Sequence, residues 1–371
     1  MRNDWQRDAS MLAFDAGPQG MDSCGHGHAD ALSVVCSAQG TNWLVDPGTF
    51  VYTASKEWRD YFRSTQAHNT LVIDGQGQAE PAGPFKWLNL CPARLESWAT
   101  LANLDYASGM HEGYGRLDEP VTHRRRIVFV KPDRWFLLDD ITGAGSHSLE
   151  FFFHFPPDVQ LRVEEHSCWA TKSDNRFLII ADPSVSLNAG RGEEGPVQGW
   201  YSRDYGHREP APALAGKTRC SVPARIPWIL WPGAPYEARL RQVPGQGSVW
   251  ALETSEQIDY FIFSDATGMQ SDQKSTTDAD FAFLRHGRDR KLERMTLLKG
   301  SWLNLEGAPQ FRCEGKCEAF DLVCHGDSLE VHMQPVRPFA LALRRAKSVQ
   351  LNGKQVEFKH TDNGIAVGEG N

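Results

Sequence analysis

The sequence predicts an all-β protein, a large sandwich of stacked antiparallel β-sheets with few short helices. Three observations lead there. Short runs rich in β-branched and aromatic residues recur along the whole chain, each bounded by Gly, Pro, Asp or Asn. Sustained apolar periodicity at i, i+3, i+4 is nearly absent. Gly-centred turns such as "DGQGQ" and "LNGKQ" suit antiparallel meanders, and the helical crossovers that a parallel sheet needs are missing.

In chain order, the runs "ALSVVCSA", "NWLVD" and "NTLVIDG" open the pattern. Between the last two lies "SKEWRDYFRST", residues 55–65, the best helical candidate. Strands are expected next at "RRRIVFV", "RWFLLDDI", "SLEFFFHF" and "NRFLIIAD". Residues 190–217 are rich in Gly and Pro and read as a long loop across the sandwich, or else as a boundary. After them come "SVWALETS", "IDYFIFSD", "FAFLR", "MTLLKGSWLNL", "FDLVCHGDSLEVHM", "FALALRRA" and "KSVQLNG". The expected organisation is one continuous sandwich over residues 1–337. Pro335 and Pro338 set off a terminal hairpin subdomain over 338–371, expected to be continuous with the sandwich.

With 371 residues, 40% of them hydrophobic, the chain can bury a substantial core, which excludes disorder. Its 12 Trp and 19 Phe supply bulky core material, or stacking surfaces of the kind that hold sugars. A net charge of -8 argues against a nucleic-acid partner. Arg124, Arg125 and Arg126 would form a basic patch for an anionic substrate, except that consecutive strand residues point to alternating faces. The 8 Cys are scattered, and Cys313, Cys317 and Cys324 with His325 lack the paired spacing of a structural zinc site. No apolar stretch is long enough for a membrane span, and the N-terminal "MRNDWQRDASMLAF" carries charges where an export signal needs an apolar run. As written, the chain reads as cytoplasmic.

The densest chemical signal lies in the first 80 residues: "CGHGHADALS", "LVDPGT" and "FRSTQAHNT". His26 and His28 are two apart, so on an extended segment both rings point to one side. Two imidazoles and a carboxylate with an open position suit Zn2+, which accepts N and O donors. The same residues also fit a plainer account: hydrogen bonding at a strand start for the His pair, and capping of the "DPGT" turn by Asp46. A cupin-type metal site would want Glu about four residues after the second His, where Leu32 stands.

The runs "GHGHADALS", "WLVDPGTFVY", "YFRSTQAHNTLVIDGQ", "VTHRRRIVFV", "GSHSLEFFFHFPP" and "GWYSRDYG" together resemble the heparinase II/III-like C-terminal domain of polysaccharide lyases, over roughly residues 4–235. The resemblance implies a structural or cleft-organising Zn2+ on His28, Asp46 and His68. It places His26 at the substrate cleft in an acid/base or charge-neutralising role. Tyr52 is the matching cleft tyrosine, with Tyr61 the alternative, and Arg63 would bind a substrate carboxylate, against pairing with Asp60 or Glu57. His147 and His154 match the pattern and are assigned no role.

The activity implied is β-elimination on a uronate-containing glycan, an acidic polysaccharide or oligosaccharide of heparan, alginate or bacterial exopolysaccharide type. The family's lyases are periplasmic or extracellular and carry a helical (α/α) toroid ahead of the sandwich. On that resemblance the chain is expected to be a fragment, a split gene or an excised domain that folds but catalyses poorly alone. The alternative is a non-catalytic module that binds acidic glycan or a partner.

Overall fold

The computed structural model describes residues 1–21, 24–244, 248–264, 277–305 and 307–368. Strands make up 56% of it and helix 4%, so the all-β expectation holds. The chain divides into two compact units, Met1–Ala234 and Pro235–Asn371.

The first unit contains an eight-stranded antiparallel sheet. Its order is Gln160–Val163, Ser167–Lys172, Asn175–Ala181, Ala224–Pro232, Arg134–Gly143, Val121–Val130, Leu104–His111 and Arg94–Thr100. A four-stranded sheet, Ser186–Arg191, Pro212–Ser221, Ser146–His154 and Leu71–Ile73, and a three-stranded one, Met11–Phe14, Val34–Ala38 and Thr41–Leu44, complete the main layers. Alternation along the strands explains how they pack. Ile127 and Phe129 register against Leu137 and Trp135, and all four join a buried cluster with Leu149, Phe151 and Phe153 of the four-stranded sheet. Trp228 seats against Phe151 and Phe153 at ring-centroid distances of 5.1 and 4.9 Å. Opposite it, a side chain at Gly216 would meet the indole at 2.6 Å.

The expected helix forms over Lys56–Phe62, with Ser55 as N-cap accepting from the Trp58 amide at 3.4 Å. The 190–217 segment departs from the loop expectation. It holds the paired ribbons Glu193–Glu194 with Val197–Gln198 and Trp200–Tyr201 with Glu209–Pro210, then most of the Pro212–Ser221 strand. Here neighbouring strands on both sides supply the pairing that a Gly- and Pro-rich composition does not signal. The basic-patch reading of Arg124, Arg125 and Arg126 is likewise corrected. Arg124 pairs with Glu96 at 2.6 Å, and Arg125 and Arg126 are buried against Asp139 and Asp140, each at 2.8 Å.

The second unit is built on one large sheet. Leu292–Leu305 and Ala308–His325 form its longest ladder, and Ser328–Gln334 pairs antiparallel with the latter and parallel with Ser348–Leu351. The terminal segment belongs to this sheet, because Phe339–Leu341 pairs with both Ala308–His325 and Gly364–Val367. The division between units thus falls at Ala234 and Pro235, close to where the family resemblance fades, and not at residue 337. Phe311, Phe320 and Phe339 anchor the core of this unit. All eight cysteines are free thiols. Among the described residues no helix is long and apolar enough to cross a membrane.

Because Trp228 is fully buried, Trp228→Ala removes a large contact area and leaves a cavity. The expected cost is about 3–5 kcal/mol, as for other buried aromatic truncations. Chemical denaturation of the variant measures it, and a loss below about 1 kcal/mol would contradict the packing described.

Candidate metal centre and cleft

Three segments with little regular structure deliver the side chains of the candidate cluster. The first, residues 24–33, turns tightly. The Gly27 amide donates to the Cys24 carbonyl at 3.0 Å, and a Cβ on Gly27 would lie 1.7 Å from the Gln19 carbonyl oxygen. Only glycine fits between His26 and His28. The second carries Asp46 into the "DPGT" turn, where Asp46 Oδ1 accepts from the Gly48 amide at 2.8 Å. Gly48 has φ +84° and faces the Ser202 carbonyl, so it too admits no side chain. The third is the short 3-10 turn Thr65–Ala67, which hands His68 inward.

The donors converge. His28 Nδ1 lies 3.1 Å from His68 Nε2, and His68 Nε2 lies 3.3 Å from Asp46 Oδ2. Asp30 joins them, with the ligand atoms of all four residues within 4.8 Å of one another. Tetrahedral Zn2+ with bonds near 2.0–2.1 Å would hold its donors about 3.3 Å apart, so the spacing fits the ion. The other ring nitrogen, His68 Nδ1, reaches the Ser64 carbonyl at 2.7 Å. That bond takes the Nδ1 proton and leaves Nε2 directed at its neighbours. Asp30 was not singled out in the sequence, although "HAD" places it two residues beyond His28.

Burial and mutual contacts set the charges of the cluster. Burial, helped by the charge of His68, pushes the His28 imidazole down to about 3. Burial opposes charge on His68 as well, but the hydrogen bond and charge of Asp46 outweigh it and raise the ring to about 9. Burial also works against the Asp46 carboxylate, and the His68 hydrogen bond overcomes this to hold it at about 2. Burial raises Asp30. At neutral pH the cluster therefore keeps one proton on His68, in the place a divalent ion would take.

A buried network fixes the three segments. Asn69 Nδ2 donates to the carbonyls of Val34 at 2.7 Å and Val45 at 3.0 Å, and its Oδ1 accepts from the His154 amide at 2.6 Å. Asp46 and His68 are thus tied through their immediate chain neighbours. Thr70 Oγ1 and Gln78 Nε2 both donate to the Ala31 carbonyl at 2.9 Å. Arg125 Nη1 reaches the Leu32 and Asn69 carbonyls at 2.9 and 2.8 Å, while its Nε and Nη2 hold Asp139 at 2.8 and 3.1 Å. His154 lies buried beside Asn69 and Gln198, and His147 bonds Asp74 at 2.6 Å.

Beside the metal centre, His26 is exposed and meets Tyr52 edge-on at 5.2 Å, with Phe85 at 5.5 Å. Tyr205 lies 5.6 Å beyond Tyr52. Tyr61, in contrast, is buried, and its hydroxyl faces the Trp200 amide at 3.4 Å. Of the two tyrosines, Tyr52 is the one that stands with His26. Arg63 sits elsewhere than expected. Its guanidinium is fully buried, bound to Asp60 at 2.7 Å and to the carbonyls of Gly83, Pro84 and Lys86. Its one unpartnered donor, Nε, is itself buried, so none faces a substrate carboxylate. The cation that approaches the cleft is Arg59, one helical turn earlier, with Cζ 5.0 Å from the Tyr52 ring and Nη1 without a hydrogen-bond partner.

A family model described as heparinase II/III-like, C-terminal, matches residues 2–229. A heparin-sulfate lyase of Pedobacter heparinus is 24% identical over 208 residues, covering 55% of this chain and 29% of that protein. A second heparin-sulfate lyase, of Bacteroides stercoris, is 23% identical over 46% of this chain and 24% of its own length. Among solved structures, a mutant heparan sulfate lyase of Pedobacter heparinus shares the fold with a TM-score of 0.58 and 19% identity, over 79% of this chain and 40% of that one. The matched region spans less than a third of the curated relatives.

Two measurements test this centre. Below about pH 9 a bound ion must displace the His68 proton, so zinc affinity should rise with pH up to that point and then level off. Titration calorimetry in buffers of different ionisation enthalpy should find about one proton released per ion at pH 7. Asn69→Ala should weaken zinc binding about 10–100-fold with the fold retained by circular dichroism, since Asn69 orients ligands without touching the ion. Unchanged affinity would remove Asn69 from that role.

Proposed function

The chain belongs to the heparinase II/III-like C-terminal family, and on that premise we propose that it forms the β-sandwich side of a polysaccharide lyase site acting on uronate-containing glycan. One observation carries the reading: His28, His68 and Asp46 converge on a single cation position while His26, two residues from His28, stays exposed beside Tyr52. His28, Asp46 and His68 would hold Zn2+, with Asp30 beside them. When bound, the ion neutralises the carboxylates and fixes the loops that carry the cleft residues.

The reaction needs the C5 proton removed, the C4–O4 bond broken, a C4–C5 double bond formed and the leaving O4 protonated. Tyr52 and His26 supply the titratable groups, their rings in edge-on contact at 5.2 Å. Arg59, buried under the Tyr52 ring, provides a fixed positive field that favours negative charge developing there. Exposed Phe85 and Tyr205 offer flat faces on which a pyranose can stack. The names of the two lyases matched in sequence support a sulfated, uronate-bearing glycan as the substrate class. A helical toroid, implied by the family resemblance, would close the cleft from the other side.

The experiment is the absorbance of unsaturated uronate released from acidic glycans by the whole chain. His26→Ala and Tyr52→Phe should each lower the rate by about 10²–10⁴-fold, the usual weight of one acid/base group. Zinc removal by chelation should lower it in parallel. Glycan binding without any product would assign the chain to the alternative reading, a non-catalytic module for acidic glycan.

A further inference from the structure

The second unit carries a cationic groove with no part in the proposed reaction. Along Ala308–His325, Arg312 registers against Ala340 of the Phe339–Leu341 strand, and the Ala342 amide donates to the Gln310 carbonyl at 3.1 Å. The short side chains of Ala340 and Ala342 leave open space above the ladder. One cavity of about 550 Å³ lies over Gln310, Arg312, Ala342 and Arg344. Another of about 500 Å³ is lined by Gln310, Ala342 and Arg344 again, together with Arg290, Lys291 and Arg345. Their shared residues place the two cavities side by side.

Charge is unbalanced across them. Lys291 is bonded to Asp289. The guanidinium groups of Arg290, Arg312, Arg344 and Arg345 have no hydrogen-bond or ion-pair partner among the described residues. The acidic side chain in the lining, Asp327, is taken by Lys347 at 2.7 Å, and its carboxyl is held low first by Lys347 and then by Arg345 and Lys291. Within a chain of net charge -8, four solvent-exposed guanidinium groups over these cavities make a local positive patch. Guanidinium forks suit sulfate and carboxylate oxygens, and Leu292, Leu329 and Leu343 give an apolar floor for the C–H faces of sugar rings.

We propose that this groove is a second, non-catalytic binding site for an extended saccharide bearing sulfate or carboxylate groups. The choice of a saccharide over a lone anion rests on the spread of the guanidinium groups over two adjoining cavities and on the acidic-glycan reading of the first unit. The groove itself stands without the metal centre.

The probe is an end-labelled, size-defined heparin oligosaccharide, its binding to the full chain followed by fluorescence polarisation at constant ionic strength. The variant Arg290→Ala/Arg344→Ala/Arg345→Ala should bind at least about 10-fold more weakly, on the order expected for several partly exposed charge-assisted contacts. Charge reversal by Arg344→Glu/Arg345→Glu should weaken binding further, and His26→Ala/Tyr52→Phe should keep most of the affinity. A wild-type chain that does not bind, or an Arg variant that binds like wild type, overturns the groove. Loss confined to the His26/Tyr52 variant also overturns it while leaving the cleft reading intact. Equal displacement of the probe by inorganic sulfate at matched sulfate concentration identifies a single-anion site and overturns the extended one.

Discussion

The pairing of Arg125 with Asp139 is the contact on which the cluster of His28, Asp46 and His68 depends. Both lie on the core-facing side of adjacent strands, in direct register, and both are buried. Burying two charges is costly, and the attraction between them repays this only when every remaining donor and acceptor is satisfied. Here the guanidinium holds both carboxylate oxygens, and His123 Nε2 adds a bond to Asp139 at 2.7 Å. The one donor left over, Nη1, spans the Leu32 and Asn69 carbonyls. A cost incurred inside the sheet thereby anchors two loops that no regular ladder could reach. Removing either charge would leave the other buried alone, a loss of about 3–5 kcal/mol in comparable cases.

That anchoring holds a strained loop in place. Cys24 and Leu32, at the two ends of the His26–His28 segment, have φ of 55° and 62°, and Phe50 past the Asp46 turn has φ of 58°. Each such residue costs about 1–2 kcal/mol relative to ordinary backbone. Leu32 keeps its conformation because its amide donates to the Asp15 carbonyl at 2.8 Å and its carbonyl accepts from Arg125. Strain of this kind persists only where the surroundings over-determine it. The sandwich supplies that surplus, and the loops use it to bring side chains from three distant stretches of chain onto one point.

Much of this was legible in the sequence, for reasons that particular residues make plain. Strands such as Val121–Val130 and Arg134–Gly143 announce themselves because their own side chains fill the core. The helix at Lys56–Phe62 was visible through its cap and spacing. His28, Asp46 and His68 could be picked out because His-rich and turn motifs are local. The strand Ala224–Pro232 was not, since Pro227 sits opposite Leu138 in mid-sheet, where the residue's missing amide usually forbids it. Asn69 and Arg125 were hidden for a different reason. Their work is done on carbonyls far off in sequence, and a carbonyl has no signature in the one-letter code. Arg59 lies on a short helix that Arg63 caps at its C-terminus, and only the packing decides which faces the cleft.

The placement of His26 links the metal centre to the cleft without making the ion a reactant. One residue, Gly27, separates His26 from His28, and that glycine is pressed against the Gln19 carbonyl with no room for a side chain. A tether this short and this confined transmits position. Where His28 is fixed by its bond to a cation shared with His68 and Asp46, His26 is fixed too, at its edge-on contact with Tyr52. Where the cation is only the His68 proton, the two contacts of His68 Nε2, with His28 and with Asp46, hold the same cluster. Effective acid/base transfer tolerates little misplacement, and about 1 Å can cost roughly 10²-fold in rate. On the proposed function, an ion in this cluster would act through distance, by narrowing where one imidazole can be.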